Sequence, residues 1–141
     1  MILVDTDHLS VLSTPGSAGY AALLKRMQAS SEPPFGTTVV SIEEMLRGWL
    51  ALIHRLRDVH QQIPAYERLA RLFEFFAGWQ IVAFDVRAAD EFKRLRKERI
   101  RIGSQDLKIA SIALVRDALV LSANLGDFRR VPGLRVESWL E

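Results

Sequence analysis

The chain has 141 residues, the usual size of one domain, and 49% of them are hydrophobic. This composition excludes a disordered chain, because disorder requires low hydrophobicity and a high net charge, and the formal charge is only +2. The absence of cysteine excludes disulfides and thiolate chemistry. We therefore predict a single folded domain over residues 1–141.

Apolar runs and helical periodicities alternate along the chain. Short apolar runs predict buried strands of the kind found in parallel sheets, and stripes at i, i+3, i+4 and i+7 predict amphipathic helices. In chain order we predict a strand at 1–4, a helix at 7–12 that Asp7 caps, a helix at 17–30, a strand at 37–40, a helix at 41–57, a helix with Pro64 in its first turn that ends near Gly78, a strand at 80–84, a helix at 86–99, a helix at 104–117 that Ser104 caps, and strands at 118–121 and 135–137. This alternation implies parallel pairing, so the predicted fold class is α/β: a three-layer α/β/α sandwich with a central, mainly parallel sheet.

Several acids follow predicted strands or begin predicted helices. Asp5 ends the first strand, Glu44 lies in the first turn after the second strand, and Asp106 lies in the first turn of a helix. Asn124 and Asp127 follow the fourth strand. Because the carboxyl ends of the strands form the ligand crevice of open α/β sheets, we expect these side chains to meet. Oxygen-only ligands suit hard divalent cations such as Mg²⁺ or Mn²⁺.

Most of these acids also have an ordinary structural explanation. Ser41 and Glu44 fit an S-x-x-E capping box, and Asp106 can complement a helix dipole. Asp127 can stabilise a turn. Asp5 is the exception, because we see no capping role for a carboxylate that ends an apolar strand in the centre of a sheet.

Four segments of the chain carry a specific combination of motifs. They read MILVDTDHLSVL, VVSIEEMLRG, IGSQDLKIASIAL and LVLSANLGDFRRVPGLRVESW. The first leads an apolar run into Asp-Thr-Asp, the second places Glu44 four residues before Gly48, and the third has Asp106 in a Gly-x-x-Asp pattern. In order and spacing these segments resemble the PIN-domain family, specifically the VapC-like toxins of toxin–antitoxin modules. The resemblance covers nearly the whole chain, and the last segment is the most specific.

The resemblance implies an endoribonuclease toxin that hydrolyses RNA phosphodiesters with water activated by Mg²⁺ or Mn²⁺. It implies that Asp5, Glu44 and Asp106 bind the metal, and that the partners are an RNA substrate, an antitoxin protein and a second copy in a homodimer. The lack of a signal-peptide pattern fits a cytoplasmic protein. We expect no membrane segment, because no apolar run approaches the roughly 20 residues that span a bilayer.

The fourth acidic position departs from the family's fuller pattern. Many relatives have Asp two residues after the Ser or Thr that ends the fourth strand, whereas here Ser122 is followed by Asn124. Asp127 is the nearby acid that could take its place, so we count Asn124 and Asp127 with the catalytic residues. Thr6 and Ser122 could support the site by hydrogen-bonding its carboxylates or water.

A basic stretch lies just upstream of Asp106. Beside a nuclease site it can act as a phosphate track, although a charged helix face is usually only solvated. The predicted RNA-binding residues are Arg47, Arg96, Lys97, Arg99 and Arg101.

Apolar side chains cover too much of the segment 64–79 for one buried face. We therefore predict a protein interface there, with core packing alone as the alternative. In the family that the chain resembles, these helices contribute to an antitoxin groove. His8, His54 and His60 are scattered, show no zinc spacing and receive no role.

Two alternative functions stay open at this point. The Asp-Thr-Asp motif at 5–7 matches the nucleophile motif of haloacid-dehalogenase-type phosphatases, with Asp5 as nucleophile, but Leu9 stands where Thr or Val normally follows. Residues 126–127 also lack the second acid of that family's C-terminal motif. Asn124 motivates the other alternative, a non-catalytic PIN domain that only binds RNA or a protein partner.

Overall fold

The computed structural model describes residues 1–32 and 34–140; Pro33 and Glu141, which the predicted domain includes, lie outside the described residues. Five strands and seven helices follow one another along this part of the chain. In order they are β1 (Ile2–Val4), α1 (Thr6–Leu12), α2 (Tyr20–Ala29), β2 (Phe35–Thr38), α3 (Val39–Arg55), α4 (Val59–Phe76), β3 (Gln80–Val82), α5 (Val86–Lys97), α6 (Ser104–Val115), β4 (Leu119–Leu121), α7 (Leu125–Phe128) and β5 (Arg135–Glu137).

The five strands form one parallel sheet in the order β3-β2-β1-β4-β5. β1 lies in the middle, where Ile2 pairs with Phe35 of β2 and Val4 pairs with Leu121 of β4. Each residue of β1 is 1% exposed, as expected of a strand covered on both faces. Because all strands run in one direction, their carboxyl ends lie along one edge of the sheet, which we call the carboxyl edge.

Alternate residues of β1 contact different helix layers. Leu3 belongs to a core cluster with residues of α5 and α6, whereas Ile2 and Val4 pack with residues of α1, α2 and α4. α3 contributes to both clusters, through Val40 on one side and Trp49 on the other. The predicted three-layer α/β/α sandwich is therefore confirmed. Within the described ranges, the helices are all too short or too polar to cross a membrane.

β2 and α3 meet two residues earlier than predicted. β2 ends at Thr38 rather than Val40, and α3 starts at Val39. Thr38 is the N-cap of α3, because its Oγ1 accepts a hydrogen bond from the Ser41 amide at 3.0 Å. Ser41 therefore lies inside the helix, and the predicted capping box of Ser41 with Glu44 is wrong.

α4 begins five residues before Pro64, so the prediction that Pro64 lies in its first turn is also wrong. Pro64 leaves one helix carbonyl without its amide donor. The first turn of α4 is stabilised by contacts with α3. The Gln62 side-chain amide donates to the carbonyls of Ile53 and Leu56 at 3.2 and 2.7 Å. These bonds tie the start of α4 to the end of α3.

The other boundaries shift at turns and caps. α5 and α6 end two residues before their predicted ends, and Arg99 and Asp117 then adopt positive φ values of 58° and 50°, which ends the helical path. Gly103, not Ser104, is the N-cap of α6. Asp127, which could have stabilised a turn, lies instead in the short helix α7, and α2 and β3 are shorter than predicted.

Candidate functional site

Asp5 lies directly after β1 at the carboxyl edge and is 5% exposed. Its Oδ1 accepts a hydrogen bond from the Thr6 amide at 2.8 Å, and its Oδ2 accepts one from the Ser122 hydroxyl at 2.9 Å. The Ser41 hydroxyl donates to Oδ1 at 3.4 Å. Asp5 is the N-cap of α1, so the expectations that Asp5 has no capping role and that Asp7 caps this helix are wrong. Three segments of the chain hold this one carboxylate in place.

Glu44 lies in the second turn of α3 and shares a hydroxyl group with Asp5. The Thr6 Oγ1 is 3.3 Å from Asp5 Oδ1 and 3.4 Å from Glu44 Oε2. Burial, followed by the charges of Asp5 and Asp106, raises the pKa of Glu44 to about 7. Burial also raises the pKa of Asp5, although the bonds from Thr6 and Ser122 oppose that increase. These acids therefore interact electrostatically although they come from separate elements.

Asp106 lies in the first turn of α6 and completes this group. Burial and the charge of Asp5 raise the pKa of Asp106, and the charge of Asp127 adds to the increase. The Asn124 side-chain amide donates to Asp106 Oδ2 at 2.9 Å and to Asp127 Oδ2 at 3.1 Å. Asp127 also lies 3.8 Å from a guanidinium nitrogen of Arg130. The structure thus brings together the five predicted catalytic residues, with Asn124 as a neutral bridge between two acids.

The donor chemistry at this edge fits a hard divalent cation. The acid cluster, which we define as Asp5, Glu44 and Asp106, offers only carboxylate oxygens. Within residues 1–32 and 34–140 none of its members forms an ion pair with an arginine or lysine, so their repulsion is not neutralised by a side chain. In the same ranges, no three acid or histidine side chains are arranged as ready ligands of one ion. A shared cation would require the carboxylates to rotate towards it.

His8, to which the sequence assigned no role, is completely buried. Its Nε2 accepts a hydrogen bond from the Trp139 amide at 3.0 Å, so the ring proton is on Nδ1, which contacts Asp7 Oδ1. Asp7 Oδ2 accepts bonds from the Ala123 amide at 2.9 Å and the Ser122 hydroxyl at 3.3 Å. Burial alone raises the pKa of Asp7, but the bonds from His8 and Ala123 outweigh it and lower the pKa.

One local signal could have found His8. It lies four residues before Leu12 and next to Leu9, and all three share the buried face of α1. Its partner Trp139 is 131 residues away, so the hydrogen bond itself has no local signature.

The predicted basic track lies at the same end of the α5–α6 pair as Asp106. The Arg87 guanidinium in the first turn of α5 donates to the Val115 carbonyl at the end of α6. The start of α5 therefore lies beside the end of α6, and the two helices run antiparallel. Arg96 stacks on the Phe92 ring with 5.0 Å to its centroid. Lys97 ends α5, and Arg99 and Arg101 lie in its connection to α6.

Arg47, the remaining predicted RNA contact, is engaged by a neighbouring acid. Its Nη2 donates to Glu43 Oε2 at 2.6 Å, one turn earlier in α3. Glu43 also accepts a bond from the Gln105 side chain at 2.8 Å, which links α3 to α6 beside Glu44 and Asp106. Nothing in these contacts tests whether Arg47 binds RNA, so its role stays a prediction.

A parallel α/β domain with three carboxylates from separate elements at its carboxyl edge defines a narrow class of protein. Residues 2–134 match the model of the PIN domain, so the chain belongs to the PIN-domain family. It is 28% identical over 94 residues to the tRNA(fMet)-specific endonuclease VapC of Salmonella typhimurium, covering 64% of this chain and 71% of that protein. It is 31% identical over 74 residues to Ribonuclease VapC2 of Rickettsia felis, covering 50% and 55%.

Solved structures share the fold over nearly the whole length. The VapBC2 complex from Rickettsia felis, bound to a DNA fragment from its promoter, contains a chain that superposes with a TM-score of 0.75 at 21% identity, covering 99% of both chains. A chain of the DNA-bound VapBC complex from Salmonella typhimurium gives a TM-score of 0.75 at 20% identity, covering 98% and 97%. The predicted family is confirmed. The PIN-domain match also argues against the haloacid-dehalogenase alternative.

Proposed function

We propose that the chain is a metal-dependent endoribonuclease, with Mg²⁺ or Mn²⁺ held by Asp5, Glu44 and Asp106, and that it is the toxin of a toxin–antitoxin pair. The observation that carries the proposal is the acid cluster itself: three electrostatically coupled carboxylates with no ion pair to a basic side chain in the described residues. Two relatives bear the names endonuclease and ribonuclease, which supports the same reading.

The side chains around the cluster keep its carboxylates close to one another at the carboxyl edge. Ser122 fixes the orientation of Asp5, and Thr6 spans the gap between Asp5 and Glu44. Because the pKa of Glu44 is raised to about 7, a cation that binds at neutral pH would displace a proton from Glu44. When bound, a divalent cation supplies electrostatic stabilisation of the phosphodiester and acidifies water. No protein nucleophile is needed.

Exposed apolar surface supports the proposed protein partners, an antitoxin and a second copy of the chain. Val59, Ile63, Tyr66 and Phe73 form a stripe along one face of α4 and are each at least 50% exposed. Solved relatives in the same fold are VapBC complexes, which contain two kinds of protein chain. Coverage of this stripe by a partner would remove it from water.

Asn124 favours a second candidate, a PIN domain that binds RNA without cutting it. Its amide donates to Asp106, so the fourth position of the site is neutral rather than acidic. Only a measurement of cleavage separates the two candidates.

The test is incubation of purified protein with labelled single-stranded RNA and Mn²⁺. We expect products with 5′-phosphate and 3′-hydroxyl ends, no cleavage in EDTA, and a loss of more than about 100-fold for Asp5→Asn, which exceeds the roughly 10–100-fold loss typical of a partner outside the ligand set. The matched control is Asp90→Asn, since Asp90 is an exposed acid on α5.

Each part of the proposal can fail separately. Cleavage that survives thorough chelation contradicts the metal role, and RNA binding without cleavage in Mn²⁺ supports the non-catalytic candidate. Expression of the chain alone should arrest bacterial growth, and a small protein encoded beside it should restore growth. Normal growth would contradict the toxin role and leave the nuclease role intact.

A further inference from the structure

A groove leads away from the acid cluster between α1, α3 and α4. Its near part, about 450 Å³, is lined by Thr6 and Glu44. Its far part, about 480 Å³, extends to Arg68 of α4. Both parts are lined by Ser10, Met45 and Trp49, so they are adjacent, and together we call them the α3–α4 groove.

Three arginines give this groove a positive charge. Arg55 lines the near part, and Arg68 and Arg71 line the far part. All three are exposed, and in the described ranges none of them pairs with an acid. Five arginines elsewhere do pair with acids: Arg47, Arg94, Arg116, Arg130 and Arg135. Guanidinium groups that pair with no acid, beside a groove that ends at Glu44 of the acid cluster, are suited to a ligand that carries several phosphates.

Trp49 supplies a planar surface at the junction of the two parts. The Arg68 guanidinium lies 4.9 Å from the centroid of the Trp49 ring, so an aromatic ring and a planar cation occur together. Unpaired nucleobases stack on such groups, whereas bases within a duplex have their faces covered. Ser10 and Thr14 also line this groove, and hydroxyl groups of this kind can donate to phosphate or sugar oxygens.

We infer that the α3–α4 groove binds single-stranded RNA on one side of the phosphate that is cut, with phosphates on the three arginines and an unpaired base on Trp49. This inference rests on the proposed function and adds a substrate surface different from the basic stretch of α5. The groove also differs from the apolar stripe of α4: Arg68 and Tyr66 are two residues apart, so they point in nearly opposite directions around the helix. An acidic peptide would satisfy the arginines but gives no reason for a groove that ends at Glu44 of the acid cluster.

The first test measures RNA binding without cleavage, in the Asp5→Asn background with Mg²⁺ present. The probe is a fluorescent single-stranded RNA of about ten nucleotides. Arg68→Gln with Arg71→Gln should weaken binding at least tenfold and reduce the slope of log affinity against log salt by about 1.4, because each phosphate contact to a single strand contributes about 0.7. The matched control removes two other exposed charges, Lys25→Gln with Arg116→Gln, and should leave the slope unchanged.

The second test blocks the groove sterically. Gly48 lies between Glu44 and Trp49 in the near part, and a Cβ built on Gly48 meets no atom within 4 Å. Gly48→Phe should therefore fold, fill the groove and raise KM at least tenfold. The matched control is Gly78→Phe: a Cβ built on Gly78 also meets no atom within 4 Å, and Gly78 lies outside the groove, so this variant should cut RNA with an unchanged KM. Quenching of Trp49 fluorescence by the RNA, absent in Trp49→Phe, provides a direct readout of base stacking.

The outcomes separate this inference from the proposed function. If no form of the protein binds or cuts RNA, the proposed function fails. If RNA is cut but the Arg68/Arg71 double variant and Gly48→Phe behave like the unmodified chain, the groove assignment alone is overturned. The same holds if Arg96→Gln with Arg99→Gln lowers the salt slope instead, or if an acidic peptide binds through Arg68 and Arg71 while the RNA does not.

Discussion

Asp7 and Glu44 both lie near the carboxyl edge of the sheet, yet their pKa values move in opposite directions. The pKa of Asp7 is lowered because hydrogen bonds from His8 and the Ala123 amide outweigh the effect of burial. The pKa of Glu44 is raised to about 7 by burial and by the charges of Asp5 and Asp106. The first carboxylate is surrounded by donors, and the second mainly faces other acids.

The opposite pKa shifts distinguish Asp7, an acid with a structural role, from the acids of the cluster, which are available to a ligand. Asp7 connects α1, the end of β4 and, through His8, the C-terminal segment at Trp139. Its negative charge is already stabilised by hydrogen-bond donors, so it gains little from a cation. The carboxylates of the acid cluster repel one another. This repulsion lowers the stability of the chain in the absence of a ligand and favours cation binding.

The largest effect is expected from His8→Ala, which removes a hydrogen-bond partner of Asp7. The variant removes a buried ring and leaves the Trp139 amide and Asp7 without their partner, so the free energy of unfolding should fall by about 2–4 kcal/mol. Urea denaturation measures the change. His54→Ala, at an exposed position of α3, is the control and should stay within about 0.5 kcal/mol. A His8 variant as stable as this control would contradict the role assigned to the Asp7–His8 pair.

A smaller effect is expected from pH, and its sign distinguishes the two regions. Because the pKa of Glu44 is about 7 in the folded chain and 4.5 in the reference state, the folded chain binds the extra proton between these values, and stability falls as pH rises through them. Asp7 has the opposite sign: its lowered pKa contributes stability above its ordinary pKa of 3.8, and this is lost as pH falls through the folded value.

The measurement compares unfolding at pH 5 and pH 8 in EDTA. The unmodified chain should lose about 1–2 kcal/mol more than Glu44→Gln over this range, after allowance for solvent screening of a half-exposed side chain. Glu43→Gln changes the adjacent, exposed acid and should keep the slope of the unmodified chain. Equal slopes for Glu44→Gln and the unmodified chain would show that Glu44 is not electrostatically coupled to the cluster.

Much of the acidic edge follows from local sequence patterns. The apolar run before Asp5 places that carboxylate at the end of a central strand, and parallel topology brings Asp106 and Asn124 to the same edge. The first residue of α3 is harder to predict from sequence, because Thr38 and Ser41 are both residues that can cap a helix. The two valines between them also favour a strand. Only the tertiary position of Thr38 decides between them.

The features that sequence patterns miss are those that depend on distant partners. His8 is a single histidine in a short helix, and the residue that fixes its tautomer lies at the other end of the chain. Arg68 and Arg71 look like the solvated face of an amphipathic helix until packing places them across a groove from Ser13. In contrast, the basic run of α5 is conspicuous in sequence, but Arg94 there is paired with Glu91 and Glu98.

Asn124→Asp should give the smallest effect. It adds one negative charge beside Asp106, a member of the acid cluster. Asn124→Asp and Asn124→Ala both remove the amide that donates to Asp106 and Asp127, but only Asn124→Asp adds a carboxylate beside them. Without metal the free energy of unfolding of Asn124→Asp should therefore be about 0.5–1 kcal/mol lower than that of Asn124→Ala. High salt should reduce that difference because it screens the repulsion. With Mn²⁺ the order should reverse, and calorimetric titration should show tighter binding by Asn124→Asp than by Asn124→Ala. Equal Mn²⁺ affinities in the two variants would mean that position 124 does not face the bound ion.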